Sequence, residues 1–199
     1  MLRMNRTHPL AALATVLFLA LVGPLAGPAR AEDAPAANPR PDDFAKGTWA
    51  LSLYGGYVHD FQHDGDLGLG SVGVGYYVAD RFAFGAEVRG FGVSQEGPNA
   101  PAVEGNLFIR QHLIVADPWT LYIDGAAGIF YADHEVPDGG TRFNFMEDTG
   151  VGATYRLDDG VYLMGGARYF HVSNARIHGA DRNPAINGIE GYFGVMFTF

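Results

Sequence analysis

Eight stretches of this chain alternate apolar and polar residues with a period of two, and that pattern leaves it few folds. They run over 47–60, 67–79, 81–95, 102–116, 119–133, 142–157, 160–174 and 187–199. A period of two is the signature of a strand with one apolar face. In the third stretch Phe82, Phe84, Ala86 and Val88 share a face, and Glu87 and Arg89 share the other. In the fourth, Leu107, Ile109, Leu113 and Val115 oppose Asn106, Arg110 and His112. In the fifth, Leu121, Ile123, Ala127 and Ile129 oppose Asp124, and the last carries Ile189, Phe193, Val195, Phe197 and Phe199 on one side.

The connections alternate in length. Tight turns are expected at Val78–Arg81, Ala116–Trp119 and Leu157–Gly160, where Asp, Pro and Gly cluster. Longer connections run through Asp60–Asp66, Glu96–Pro101, His134–Gly140 and Asn174–Ile186. Short turns at one end and long loops at the other are the mark of an outer-membrane barrel. The fold class expected is therefore all-β: an eight-stranded antiparallel transmembrane β-barrel with both termini periplasmic. A soluble barrel of the lipocalin type has the same strand count but a polar outer face, and here the outward faces are apolar. Trp49, Tyr54, Tyr57 and Trp119 are expected in the interfacial aromatic girdles. With eight strands the lumen is filled by side chains, so Glu87, Arg89, Arg110, Asp124, Arg168 and Glu190 are expected to form interior charge networks rather than line a pore.

The start of the chain reads as an export signal. Arg3 and Arg6 precede an apolar run, and Ala29-Arg30-Ala31 fits a small-residue cleavage site, so residues 1–31 are expected to be removed and the mature protein to begin near Glu32. The alternative is an uncleaved anchor. Residues 32–46, rich in Ala, Pro and Asp, are expected to be a flexible periplasmic lead-in to a barrel over 47–199. The formal charge of the whole chain is −9; without the three arginines of the signal, 10 basic residues face 22 acidic ones, a charge of −12. An acidic surface argues against nucleic acid as a partner. There is no cysteine, which excludes disulfides, thiolate metal sites and a cysteine nucleophile.

The seventh stretch carries the chemistry. Val161, Leu163, Gly165, Ala167 and Tyr169 share a face that continues into His171 and Ser173. In a barrel that face looks at lipid, where unpartnered polar groups are costly. A histidine and a serine two residues apart there suggest a nucleophile and its base directed at a lipid ester. Ten residues from Val161, at about 3.3 Å each and a strand tilt near 40°, climb roughly 25 Å, to the outer boundary of the apolar band. His59, Asp60, His63, Asp64 and Asp66 in the first connection could bind a metal, but a solvated loop is the better reading. No cofactor is expected.

His171-Val172-Ser173-Asn174-Ala175, followed by Asn183-Pro184-Ala185-Ile186-Asn187, resembles the closing motif of the lipid A 3-O-deacylase (acyloxyacyl hydrolase-like) family, H-x-S-N-A and then N-x-G-I with an acidic residue. Phe143-Asn144-Phe145-Met146-Glu147-Asp148, with Gly150 and Gly152, resembles that family's preceding strand. The likeness is clearest over 141–199; upstream it is architectural. It implies an outer-membrane serine esterase acting on lipid A of lipopolysaccharide, with Ser173 as nucleophile and His171 as general base. Asn174 and Asn183 match positions that support the site or an oxyanion. The terminal Phe199 after alternate aromatics resembles the signal read by the barrel-assembly machinery.

The third catalytic position departs from the pattern. Direct alignment puts Asn187 where the family has an acid and Ala185 where it has glycine. Glu190 restores the acid, but its parity points it into the lumen. Asn187 is favoured, with Glu190 as the rival. Two other functions stay open: a structural or adhesive barrel, and an acyltransferase using the same lipid.

Overall fold

The computed structural model describes residues 43–63 and 65–199. The signal, most of the lead-in and Asp64 lie outside the described residues. Eight strands, β1 (Trp49–Asp60), β2 (Asp66–Ala79), β3 (Phe82–Ser94), β4 (Ala100–Ala116), β5 (Trp119–Val136), β6 (Thr141–Asp158), β7 (Val161–Ser173) and β8 (Ile186–Thr198), close into one barrel. Every strand pairs antiparallel with its neighbours in sequence, and β8 closes against β1. At the short-turn end the first and last strands are tied together, Trp49 N donating to Phe199 O at 2.9 Å and Phe199 N to Trp49 O at 3.0 Å.

The two faces differ as the alternation requires. Outside, Val88, Leu107, Val151 and Phe193 are among a belt of exposed large apolar side chains, with Phe193 64% exposed. Water would penalise such a surface, whereas hydrocarbon does not. Among the described residues no helix is long and apolar enough to cross a membrane; the spanning elements are strands. Trp49 packs on Tyr76 and Trp119 on Tyr155 near the short turns, all outside.

Inside, three arginines are set among five carboxylates. Arg89 meets Glu87, Asp148 (2.7 Å), Glu190 (3.4 Å) and Glu104 (3.7 Å). Arg168 and Arg110 both reach Asp124, at 2.8 and 2.9 Å. Guanidinium forks are suited to sharing several carboxylates. The six charged residues expected in the lumen are all there, joined by Glu104 and Asp148. Tyr54 is a correction: it is 5% exposed and donates its hydroxyl to Glu87 at 2.7 Å inside the barrel, not in a girdle. Its parity is that of Ala50 and Ser52, and parity outranks aromatic type. Tyr57, of opposite parity, is outside.

Two ends differ from expectation. The lead-in does not stay loose up to residue 46. Phe44 is 2% exposed, wedged among the rings of Tyr77, His112 and Tyr162, and its carbonyl accepts from Arg81 N at 2.7 Å. Asp43 accepts a hydrogen bond from the Tyr162 hydroxyl. This segment stoppers the short-turn end. At the other end, the expected loop at His134–Gly140 is shorter than expected: β5 runs to Val136 across an irregularity after Tyr131, leaving Pro137–Gly140 as a turn. Asn144 closes that turn, its amide donating to Val136 O and Thr141 O at 3.0 and 2.9 Å.

Candidate active site

The candidate site lies on the outer face where β7 meets β8, at the long-loop end. Register sets it. His171 is opposite Asn187 on β8 and opposite Glu147 on β6, so all three project outward side by side. Ser173 is two residues on from His171 along the same face and opposite Phe145.

The side chains join into a line. His171 Nε2 is 3.1 Å from Ser173 Oγ, and His171 Nδ1 is 2.8 Å from Asn187 Oδ1. The Tyr169 hydroxyl donates to the same Oδ1 at 2.6 Å. With an oxygen facing Nδ1, the imidazole carries its proton there, which leaves Nε2 bare to accept from the serine hydroxyl. This is the serine–histidine–orienting-group arrangement of a hydrolytic triad, with an amide in the third place. His171, Ser173 and Asn187 are half-buried, open enough to meet a substrate at the barrel wall.

Glu190 is not brought to this group. It is fully buried in the lumen, 3.3 Å from Arg168 and 3.4 Å from Arg89. No bulge in β8 turns it outward; the β7–β8 pairing runs without a shift from Val161↔Phe197 to Val172↔Ile186. The alternative of Glu190 as the catalytic acid therefore fails on parity.

Asn174 and Asn183 are joined to each other in the loop that follows β7. The Asn174 amide donates to Thr141 Oγ1 at 3.1 Å and to Arg182 O at 2.5 Å, and its Oδ1 accepts from Arg176 N. Its own backbone N–H is bound by Asn183 Oδ1 at 2.8 Å. With those donors committed, the Asn174 side chain is a brace, not an oxyanion donor. Ala175 and Arg176 take positive φ, 51° and 63°, a strained conformation for non-glycine residues. That bend carries the chain over a short 3-10 turn at Ala180–Arg182 and back to Asn183.

The first-loop histidines and aspartates pair off: His59 with Asp66 at 3.0 Å and His63 with Asp60 at 2.7 Å. Among the described residues no three such side chains are placed to hold a metal ion. Three participants were not anticipated. Tyr169 shares the parity of His171 and was legible in principle. Asp60, the last residue of β1, and Gln62, in the first loop, bond Asn187, and Gln62 gave no periodic signal.

The model of the family described as lipid A 3-O-deacylase (PagL) matches residues 40–196. The chain belongs to the PagL family. The family and the fold place it in the bacterial outer membrane. No curated protein sequence matches it. Among solved structures, the outer membrane protein OprG from Pseudomonas aeruginosa superposes with a TM-score of 0.54 at 10% identity, covering 79% of this chain and 98% of its own. Neisserial surface protein A has a TM-score of 0.54 at 10% identity, covering 76% of this chain and 94% of its own. The outer membrane enzyme PagL has a TM-score of 0.49 at 17% identity, covering 75% of this chain and 98% of its own. OprG and surface protein A speak for the eight-stranded fold alone. Membership in the PagL family rests on the match along the sequence.

Proposed function

We propose that this PagL-family barrel hydrolyses the 3-O-linked acyl ester of lipid A, with Ser173 as nucleophile, His171 as general base and Asn187 as the group that orients the imidazole. The observation that carries the reading is the unbroken line Ser173–His171–Asn187 on the lipid-facing wall, at 3.1 and 2.8 Å. A polar triad is out of place on a wall of apolar side chains unless its substrate lies there.

The steps follow from the geometry. Ser173 Oγ attacks the ester carbonyl as His171 Nε2 takes its proton. The imidazolium then protonates the departing 3-oxygen of the sugar, leaving an acyl-serine. A water enters, gives its proton to His171 and attacks the acyl carbon; the proton returns to Ser173 Oγ as the fatty acid leaves. The products are a free fatty acid and a lipid A with a 3-hydroxyl. No cofactor is needed. Asn187 holds the ring and its tautomer but brings no charge to the imidazolium, so this site lacks the electrostatic support a carboxylate supplies.

In this reading both termini are periplasmic, the long loops face outward, and the pair meets lipopolysaccharide in the outer leaflet. Mass spectrometry of lipid A from cells with and without the protein tests it. Loss of one 3-hydroxyacyl mass is the expected result. Gain of an acyl chain would show transfer, and an unchanged profile would point to a structural barrel.

A further inference from the structure

Asn187 is gripped by the first loop. Its backbone N–H donates to Asp60 Oδ1 at 3.2 Å and its carbonyl accepts from Phe61 N at 2.8 Å. Its side-chain Nδ2 donates to Gln62 Oε1 at 2.6 Å. Asp60 is 3% exposed and also accepts from Gln62 N at 3.0 Å, which fixes the loop's path.

An amide in the third place raises a difficulty that a carboxylate does not have. A carboxylate offers His171 only acceptors. An amide has two ends. If the NH2 end faced His171, Nδ1 would have to be the bare nitrogen and the proton would sit on Nε2. That tautomer cannot accept the serine proton. The orientation of the Asn187 amide therefore decides whether the base works. Two contacts match the orientation with the oxygen towards His171: the Tyr169 hydroxyl on Oδ1 and Gln62 Oε1 on Nδ2.

We propose that Gln62 is a positioning residue that selects the working tautomer of His171 by accepting a hydrogen bond from the Asn187 amide. This rests on the hydrolytic reading of the site for its consequence, though not for its structural content. Gln62 touches neither Ser173 nor the reacting ester in the mechanism above. It is exposed, so changing it leaves strand packing intact.

The test uses the sign of the hydrogen bond. In the full-length barrel, Gln62→Glu keeps an acceptor and Gln62→Lys offers only donors. Deacylation of lipid A in detergent micelles gives kcat and KM, and 15N shifts of the ring, assigned by their loss in His171→Gln, give the tautomer. All are read at one pH, because Glu147, Asp60 and His63 flank the line. Gln62→Glu is expected to stay within about threefold of wild type, and Gln62→Lys to lose at least about tenfold in kcat with KM little changed, as a tautomer error does. The His171 proton should move from Nδ1 to Nε2 in Gln62→Lys. Adding Asn187→Glu, which removes the two-ended amide, should make Gln62→Lys harmless. Equal losses in the Glu and Lys variants, or an unmoved tautomer, would overturn the proposal. A tautomer that responds in a protein that releases no fatty acid would leave the coupling standing and remove the hydrolytic reading instead.

Discussion

In the proposed reaction Asn187 is the residue on which the chemistry turns, because its Oδ1 faces both His171 Nδ1 and the Tyr169 hydroxyl. Asn187→Ala should slow deacylation by about ten- to a hundredfold, since the ring loses its orienting partner but keeps the serine. Asn187→Glu should raise turnover. Its charge supports the imidazolium that forms during the reaction. An unchanged kcat would show that position 187 does not act on His171. Glu190→Gln should leave kcat untouched, as Glu190 is paired with Arg168 and Arg89 inside the barrel. Much of this was legible in the sequence. Parity alone separates Asn187 from Glu190, and it places Tyr169 beside His171. Gln62 was not legible, because a loop residue has no period and its position depends on how the first loop folds against β8.

At the scale of elements, strand boundaries follow the alternation to within one or two residues almost everywhere, because a one-residue slip would turn every side chain to the wrong face. The exception is the β5–β6 hairpin, where the irregularity after Tyr131 breaks the period and hides the last residues of β5. Glycines on β6 serve the interior. A Cβ at Gly152 would fall inside contact distance of the Tyr122 ring. That ring stacks under Arg110 and its hydroxyl bonds Tyr192 at 2.8 Å. Gly152→Ala should therefore destabilise the barrel by about 1–3 kcal/mol through overpacking. The measurement is the temperature at which the folded form is lost on unheated gels. An unchanged midpoint would mean that the ring moves aside freely.

For the whole molecule, lumen and membrane wall divide the work: charges join the strands inside, and the Ser173–His171–Asn187 line lies on the outer wall at the long-loop end. Arg89→Met should be among the most damaging single changes, leaving Glu87, Glu104, Asp148 and Glu190 without their shared cation, at a cost of about 3–5 kcal/mol. Thermal unfolding in detergent reads this, and a wild-type midpoint would contradict the network's role. The barrel itself should be heat-modifiable and mainly β by circular dichroism. The closing stopper at Phe44 was hidden in a segment whose composition reads as a linker, because one buried aromatic does not alter an average. The most direct test of the central claim uses the purified, folded barrel with lipid A and follows release of the 3-linked fatty acid by mass spectrometry, comparing wild type with Ser173→Ala. The prediction is one 3-hydroxy fatty acid released per lipid A by wild type, and release reduced by about a thousandfold or more in Ser173→Ala, with the barrel still folded. Equal release by both proteins, or none by wild type, would contradict it.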